Sequence, residues 1–504
     1  MRKMLSLLTA AILLLSLAIS AMAEGTELPA FSGKARLVIT QDGEVDDMNS
    51  LIHALLYAND VDIEGIVQTS SKLHYSGDEF TPPLRWMGTE WMYEFLDAYA
   101  AVYPNLVVHD PDYPSPDYLR SITVVGNIKT EGDTSEETDG SRLVMERILA
   151  EDDRPLFIEI GGGANTVARA LMSIEEQYQG TEGWDALYNR ICENVILFAW
   201  GAQDSCYKDY ILPNWPSLRS VDVSGSTLTY GYRWATLDSL SEEAITKMSG
   251  PWMETNLEKN HGALMDHYVT WGDGTHLIGE EASDQYGTNE ELLNNETTWV
   301  GHAYNRYDFL SEGDSPAWFI TIPNGLRSIE DISYGGWAGR YALKKNKDNP
   351  EARGYYAAKG NEKGISAWNA AIQSDFAMRA QWCVAEKFED ANHLPQVTVS
   401  EGIDVTGVPG QMITLHAKAV DPDGDSVTFR WYHYPLGDSY EEQKDGNKNP
   451  IPIEVTVSGE MGETAQWQVP AAAKAGDTIH IILEAVDGGG TNPIAYQRII
   501  LTVV

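Results

Sequence analysis

The sequence predicts a large α/β domain on a mainly parallel sheet, followed by a small all-β sandwich. Three observations carry that reading. Short apolar runs recur at 37–40, 63–69, 122–125, 156–160, 195–200 and 318–322. Several are apolar throughout rather than alternating, as parallel strands covered on both faces require. Helical stretches lie between them, at 48–58, 141–150 and 166–172; the first places Leu51, Ile52, Leu55 and Leu56 on one face. After His393-Leu394-Pro395 the period becomes two. Ile413, Leu415, Ala417 and Ala419 alternate with Thr414, His416 and Lys418; Val427, Phe429 and Trp431 alternate with Thr428, Arg430 and Tyr432; and another alternating stretch starts at Thr478. This is the pattern of an antiparallel immunoglobulin- or cadherin-like sandwich of about 110 residues.

The elements follow in order. Residues 1–23 carry Arg2 and Lys3, an apolar stretch from Leu5 to Ile19, and the small-x-small triplet Ala21-Met22-Ala23. They read as a secretory signal peptide cleaved after Ala23, so the expected location is periplasmic or secreted. The expected divisions are 1–23, 24–392 for the α/β domain and 393–504 for the sandwich. No cysteine follows the cleavage point, the first being Cys192, so lipid attachment there is not expected. No later segment approaches the roughly 20 apolar residues of a membrane span, and no membrane partner is expected. Three cysteines permit at most one disulfide, so the fold rests on its core. The formal charge of −40 becomes −42 when Arg2 and Lys3 are lost. Such a chain repels nucleic acid and anionic membranes and attracts cations.

Directly after the first apolar run stands Thr40-Gln41-Asp42-Gly43-Glu44-Val45-Asp46-Asp47, four acids where a buried strand ends and a helix begins. In open α/β sheets the ligand crevice lies outside the carboxyl ends of the strands. Hard oxygen donors in that place favour calcium or magnesium. A helix cap needs one or two acids, whereas this loop has four. A second acidic turn, Asp421-Pro422-Asp423-Gly424-Asp425, fails the EF-hand pattern, with glycine fourth rather than sixth, and reads as a hairpin turn.

Residues 37–47 resemble the N-terminal signature of nucleoside hydrolases, an aspartate followed after three residues by two adjacent aspartates. Residues 155–171, with Gly161-Gly162-Gly163-Ala164-Asn165-Thr166, resemble that family's glycine-led strand-to-helix loop. A closer resemblance is to secreted, nucleoside hydrolase-like cellulose-binding proteins. It rests on Gln203-Asp204, Glu312-Gly313-Asp314-Ser315-Pro316, Ile322-Pro-Asn-Gly-Leu326, Gly335-Gly-Trp-Ala-Gly-Arg-Tyr341 and a sandwich containing Asp-Pro-Asp-Gly-Asp with Arg430-Trp431. The similarity spans nearly the whole mature chain.

The resemblance implies a mainly parallel sheet of nucleoside hydrolase type and a calcium ion. By it, Asp42 is general base and ligand, Asp47 chelates with both oxygens, and the main-chain carbonyl at Asn165 and the carboxylate of Asp314 complete the ligands. Asp46 binds a sugar hydroxyl, and Asn165, Gln203 and Asp204 lie on the substrate side. Local alternatives are a helix cap for Asp46 or Asn165, a turn starter for Asp314 and a polar strand-end loop for Gln203 and Asp204. Three departures stand out. Gly313 occupies the place where nucleoside hydrolases often carry a histidine that helps the leaving base depart. Thr40 replaces an upstream aspartate, and the second strand ends in Thr69-Ser70-Ser71-Lys72 without the expected asparagine. His261 and His267 are candidate substitute acids. Trp86, Trp91, Trp215 and Trp271 are candidates either for sugar stacking or for the core. The expected function is calcium-dependent hydrolysis of a glycosidic bond, of N-glycosidic type, in a nucleoside-like or other sugar substrate. The alternative is a non-catalytic protein that binds cellulose or another polysaccharide.

Overall fold

The computed structural model describes residues 25–293, 302–358, 364–440, 443–444, 450–451 and 455–504; the leader expected at 1–23 lies outside them. An eight-stranded sheet runs β3-β2-β1-β4-β5-β6-β8-β7. Its strands are β1 (Arg36–Gln41), β2 (Asp62–Gln68), β3 (Thr123–Val125), β4 (Leu156–Ile160), β5 (Val195–Ala199), β6 (Arg219–Asp222), β7 (Tyr341–Leu343) and β8 (Arg353–Ala357). All pair in parallel except the edge strand β7. Chain order reverses between β1 and β4, which makes their carboxyl ends the switch point where a crevice opens.

The apolar runs become strands because both faces of the sheet are covered. On one face Leu37, Ile39, Phe157 and Phe198 pack under α1 (Val45–Leu56) and α2 (Glu90–His109). On the other, Val38, Ile158 and Leu197 pack under α3 (Asp139–Leu149), α4 (Asn165–Tyr178) and α5 (Trp184–Asn194). The run 318–322 is not a strand. Ser315–Trp318 is a short helix and Phe319–Thr321 a 3-10 turn, entered through Pro316 in the first helical turn. A wholly buried apolar run has no period that separates strand from helix, and proline in the first turn favours the helix. The short, partly polar β6, β7 and β8 escape the apolar pattern for the converse reason.

The sandwich pairs the sheet β10-β17-β16-β12 with the sheet β15-β11-β9. These are β9 (Gln396–Val399), β10 (Asp404–Gly407), β11 (Met412–Val420), β12 (Val427–His433), β15 (Thr464–Gln468), β16 (Thr478–Asp487) and β17 (Ile494–Val503); β13 (Gln443–Lys444) and β14 (Pro450–Ile451) form a separate two-residue ladder. Pairing is antiparallel except between β10 and β17. The Asp421–Asp425 turn is not a hairpin, because β11 and β12 belong to different sheets and the turn crosses between them. Asp421 Oδ1 shapes it by accepting the N–H groups of Asp423 and Asp425, both at 2.9 Å.

One face of β16 and β17 fills the sandwich core through Ile479, Ile481, Leu483 and Leu501, while Ile482 and Tyr496 on the other join the core of the α/β domain. At this junction the buried Arg498 donates to Leu326 O at 2.6 Å and to Gly335 O at 2.7 Å. Its Nη1 lies 3.1 Å from His480 Nδ1. Cys192, Cys206 and Cys383 are all free and buried. Among the described residues no helix is long and apolar enough to cross a membrane.

Candidate metal centre and active site

The acidic loop turns directly from β1 into α1. The N–H of Glu44, the residue before the helix, donates to Asp47 Oδ2 at 3.1 Å and to Asp42 Oδ1 at 3.2 Å. Each aspartate therefore spends one oxygen on the backbone. The other oxygens, Asp42 Oδ2 and Asp47 Oδ1, are buried without a hydrogen-bond partner. A buried, unpaired carboxylate oxygen is costly in apolar surroundings unless a cation faces it.

A third such oxygen comes from a residue outside the sequence reading. Glu159, on β4, is fully buried; its Oε2 accepts the Thr40 N–H at 2.9 Å, and its Oε1 has no partner. The main chain at residue 40 thus holds this carboxylate, while the Thr40 hydroxyl, a departure from the family signature, donates to Glu159 O. The signal was present in the run Leu156-Phe-Ile-Glu-Ile160, since a glutamate inside an otherwise apolar parallel strand needs a partner. Asp314 is 2 % exposed and caps nothing with its side chain, although it precedes the Ser315–Trp318 helix. The ligand atoms of Asp46, Asp47 and Asp314 lie within 4.8 Å of one another.

Gly161 sets how closely these groups approach. A β-carbon there would stand 2.5 Å from Asp47 Oδ1, 2.8 Å from Glu159 Oε1 and 3.1 Å from Asp314 Cγ. Gly162 lies against Asp42 in the same way, 2.7 Å from its Cβ. Burial, reinforced by mutual repulsion, raises the carboxyls of Asp46, Asp47, Glu159 and Asp314 well above their ordinary range. Oxygen donors from the loop after β1, from β4 and from the turn before the Ser315–Trp318 helix fit a hard divalent cation such as calcium.

The remaining predicted residues are placed as follows. Tyr232 Oη donates its one proton to Glu44 Oε1 at 2.8 Å and also lies 3.3 Å from Asp46 Oδ1. Asn165 is the first residue of α4, so its carbonyl lies along the helix axis. Its side chain accepts from Thr69 Oγ1 at 2.6 Å and donates to Ser70 Oγ, Asn127 O and Asp133 O, tying three loops together. Gln203 Nε2 donates to Gly161 O. Asp204 Oδ1 accepts the Cys206 N–H at 2.9 Å. Both line a cleft beside the acidic centre, with Gly162, Ala164, Asp222 and Tyr356.

The glycine at 313 has a cause in the packing of two distant loops. A β-carbon there would stand 2.6 Å from Asp46 Oδ2, so a histidine in this place must displace the Asp46 carboxylate. The candidate substitutes are engaged elsewhere: His261 Nε2 meets Thr255 O at 3.1 Å, and His267 packs on Phe95. The imidazole that does reach the centre is His74, five residues beyond Thr69 on the loop that follows β2. Its Nδ1 lies 3.8 Å from Asp42 Oδ1 and 3.9 Å from Glu44 Oε2, while Nε2 is 2.7 Å from Glu280 Oε1. Burial alone would lower its pKa, but the carboxylates of Asp42, Glu280 and Glu44 prevail and raise it to about 9. No sequence motif marks His74; only its position beyond a parallel strand's carboxyl end did. Of the four tryptophans, Trp91, Trp215 and Trp271 are buried in the core, and Trp86 is half-exposed.

The loop bearing Asp314 is braced from beneath. Glu312, fully buried, takes His53 Nδ1 at 2.6 Å, Tyr268 Oη at 2.5 Å and Ser315 Oγ at 2.7 Å.

Comparison with known proteins agrees with this architecture. Residues 36–341 match the family model for the nucleoside hydrolase-like domain of cellulose-binding Sde182, and residues 412–503 match the C-terminal domain of cellulose-binding protein Sde0182. Among solved structures, a nucleoside hydrolase-related hypothetical protein from Saccharophagus degradans, described as associated with carbohydrate metabolism, aligns with a TM-score of 0.68 at 25% identity. That alignment covers 94% of this chain and 100% of the other. The effector protein XOO4466 aligns with a TM-score of only 0.37 at 10% identity, over 73% of this chain and 98% of its own. The curated proteins give no match. With its large sheet, its strand-end acids and its C-terminal sandwich, the chain belongs to the cellulose-binding Sde182 family, which carries a nucleoside hydrolase-like domain.

Proposed function

We propose that this protein is a secreted, calcium-dependent hydrolase of a glycosidic bond, with a carbohydrate or nucleoside-like substrate. The observation that carries the reading is the set of three buried, unpartnered carboxylate oxygens, Asp42 Oδ2, Asp47 Oδ1 and Glu159 Oε1, at the switch point of the sheet. Asp42, Asp47, Glu159 and Asp314 would hold the ion, and Asn165 would act as scaffold rather than ligand. When bound, calcium would ligate vicinal hydroxyls and acidify a water.

The chain's own groups supply the rest. Asp42 accepts the proton of the attacking water. Asp46, beside Tyr232, receives a sugar hydroxyl. The ring of carboxylates stabilises the positive charge that develops on the sugar as its glycosidic bond breaks. Gln203 and Asp204 contact the substrate from the neighbouring cleft.

A second reading, polysaccharide binding without cleavage, draws on the family description and on Gly313, which removes the leaving-group histidine. Calcium titration, with a screen of nucleosides and oligosaccharides for released reducing sugar, separates the two. Release that is lost in Asp42→Asn supports hydrolysis. Retention on insoluble cellulose with no sugar released by the wild type establishes the second reading instead.

A further inference from the structure

We propose that Asp42, Glu44 and His74 form a second cation site, for a divalent transition ion of the zinc or cobalt type, beside the oxygen-only centre. Their ligand atoms lie within 4.8 Å of one another. An acidic cluster alone would not make a site, but His74 adds an independent observation. It is 1 % exposed, and its Nδ1 is buried, has no hydrogen-bond partner and faces two carboxylates.

The geometry fits a metal better than a hydrogen bond. At 3.8 and 3.9 Å, Nδ1 is too far from Asp42 Oδ1 and Glu44 Oε2 to donate to either. Two donors each about 2.1 Å from one ion would be separated by nearly this much at an angle somewhat wider than tetrahedral. The other ring nitrogen is fixed as metal-binding histidines usually are, by a carboxylate: Nε2 lies 2.7 Å from Glu280 Oε1. Glu280 lies in turn beside Arg85, whose Nε is 3.7 Å from Glu280 Oε2 and whose Nη2 pairs with Asp284. With Nε2 turned to Glu280, Nδ1 faces Asp42 and Glu44; in the metal-free protein it carries a proton toward them, and a bound cation would displace that proton and stand between the ring and the two carboxylates. The side chain of Glu44 is 19% exposed and gives the ion a way in.

One imidazole nitrogen and two carboxylate oxygens select borderline transition ions, whereas the neighbouring all-oxygen centre selects a hard cation. The two sites share only Asp42, so this proposal does not depend on the hydrolytic reading. Cobalt is a suitable probe because its visible absorption reports an imidazole-containing, low-coordinate site.

The test uses the full chain, stripped with a chelator, saturated with calcium and titrated with Co²⁺. The expected result is one further equivalent bound, with visible absorption bands. His74→Asn should abolish those bands and leave the calcium affinity within about twofold of wild type. Glu280→Gln, a positioning variant, should weaken cobalt roughly 10- to 100-fold with calcium unchanged. It decides the matter if His74→Asn fails to fold. Asp314→Asn should lose calcium and keep cobalt. The proposal is overturned if no second equivalent binds, if folded His74→Asn or Glu280→Gln binds cobalt as wild type does, or if Asp314→Asn loses both ions.

Discussion

Gly161 and Asp47 face each other across the switch point so closely that a β-carbon on the glycine would stand 2.5 Å from Asp47 Oδ1. Real β-carbons do not approach an oxygen to that distance, so a side chain here must push Asp47 and Glu159 apart. Gly161→Ala should therefore lower calcium affinity at least tenfold in isothermal titration. The α/β fold should remain, as judged by far-ultraviolet circular dichroism.

Asp47→Ala removes one of the buried, unpartnered oxygens outright. It should abolish tight calcium binding and any turnover. Without calcium it should melt no lower than wild type, because it relieves a desolvated carboxylate. A melting point several degrees below wild type in chelator would show that Asp47 acts as packing and not as a cation ligand.

The raised carboxyls give the metal-free protein a pH dependence of definite sign. Asp46, Asp47, Glu159 and Asp314 hold their protons more tightly in the folded chain than in the unfolded one, where they titrate near 4. Their contribution is thus fully present below about pH 4 and is lost as the pH rises through the folded values. In chelator the contribution of this cluster to the melting temperature should fall as the pH rises above about 4, and excess calcium should restore it. Thermal scans across that range, with and without calcium and compared with Asp47→Ala, isolate the effect.

Glu312 anchors the Asp314 loop through His53, Tyr268 and Ser315. Glu312→Gln cannot accept all three donors, and should destabilise the protein by about 2–4 kcal/mol, measured by denaturant unfolding. Calcium affinity should drop as well, since the loop loses its brace.

At the junction with the sandwich, Arg498→Met removes the side-chain donor to the Leu326 carbonyl and leaves the Gly335 carbonyl only the Ser328 hydroxyl. A loss of about 3 kcal/mol is expected in the unfolding step that reports on this contact. Burial, and then the Arg498 charge, keep His480 well below its ordinary value of 6.5. Its neutral form contributes stability above that value, and the contribution is lost as pH falls below it. Unfolding followed between pH 7.5 and 5.5 should show this loss, and His480→Asn should remove it.

The sequence by itself determined most of the strands and the acidic loop at the end of the first one. Runs such as Leu37-Val38-Ile39 report burial on both faces, and Asp42 to Asp47 break that pattern where the strand must stop. The alternation of Ile413 and Leu415 likewise announced a sandwich. These are local properties, written within a few neighbouring residues. The tertiary structure alone decided which carboxylates meet. Glu159 enters the centre because β4 pairs with β1, and His74 because the loop after β2 folds over the same strand ends. Neither pairing leaves a trace in spacing along the chain. The reason for Gly313 is equally non-local, since only the packed loops reveal that a β-carbon there would collide with Asp46. Local sequence fixes the period and the burial of each element. Convergence depends on the order in which strands assemble, and there the shared burial of distant charges, rather than any motif, determines the site.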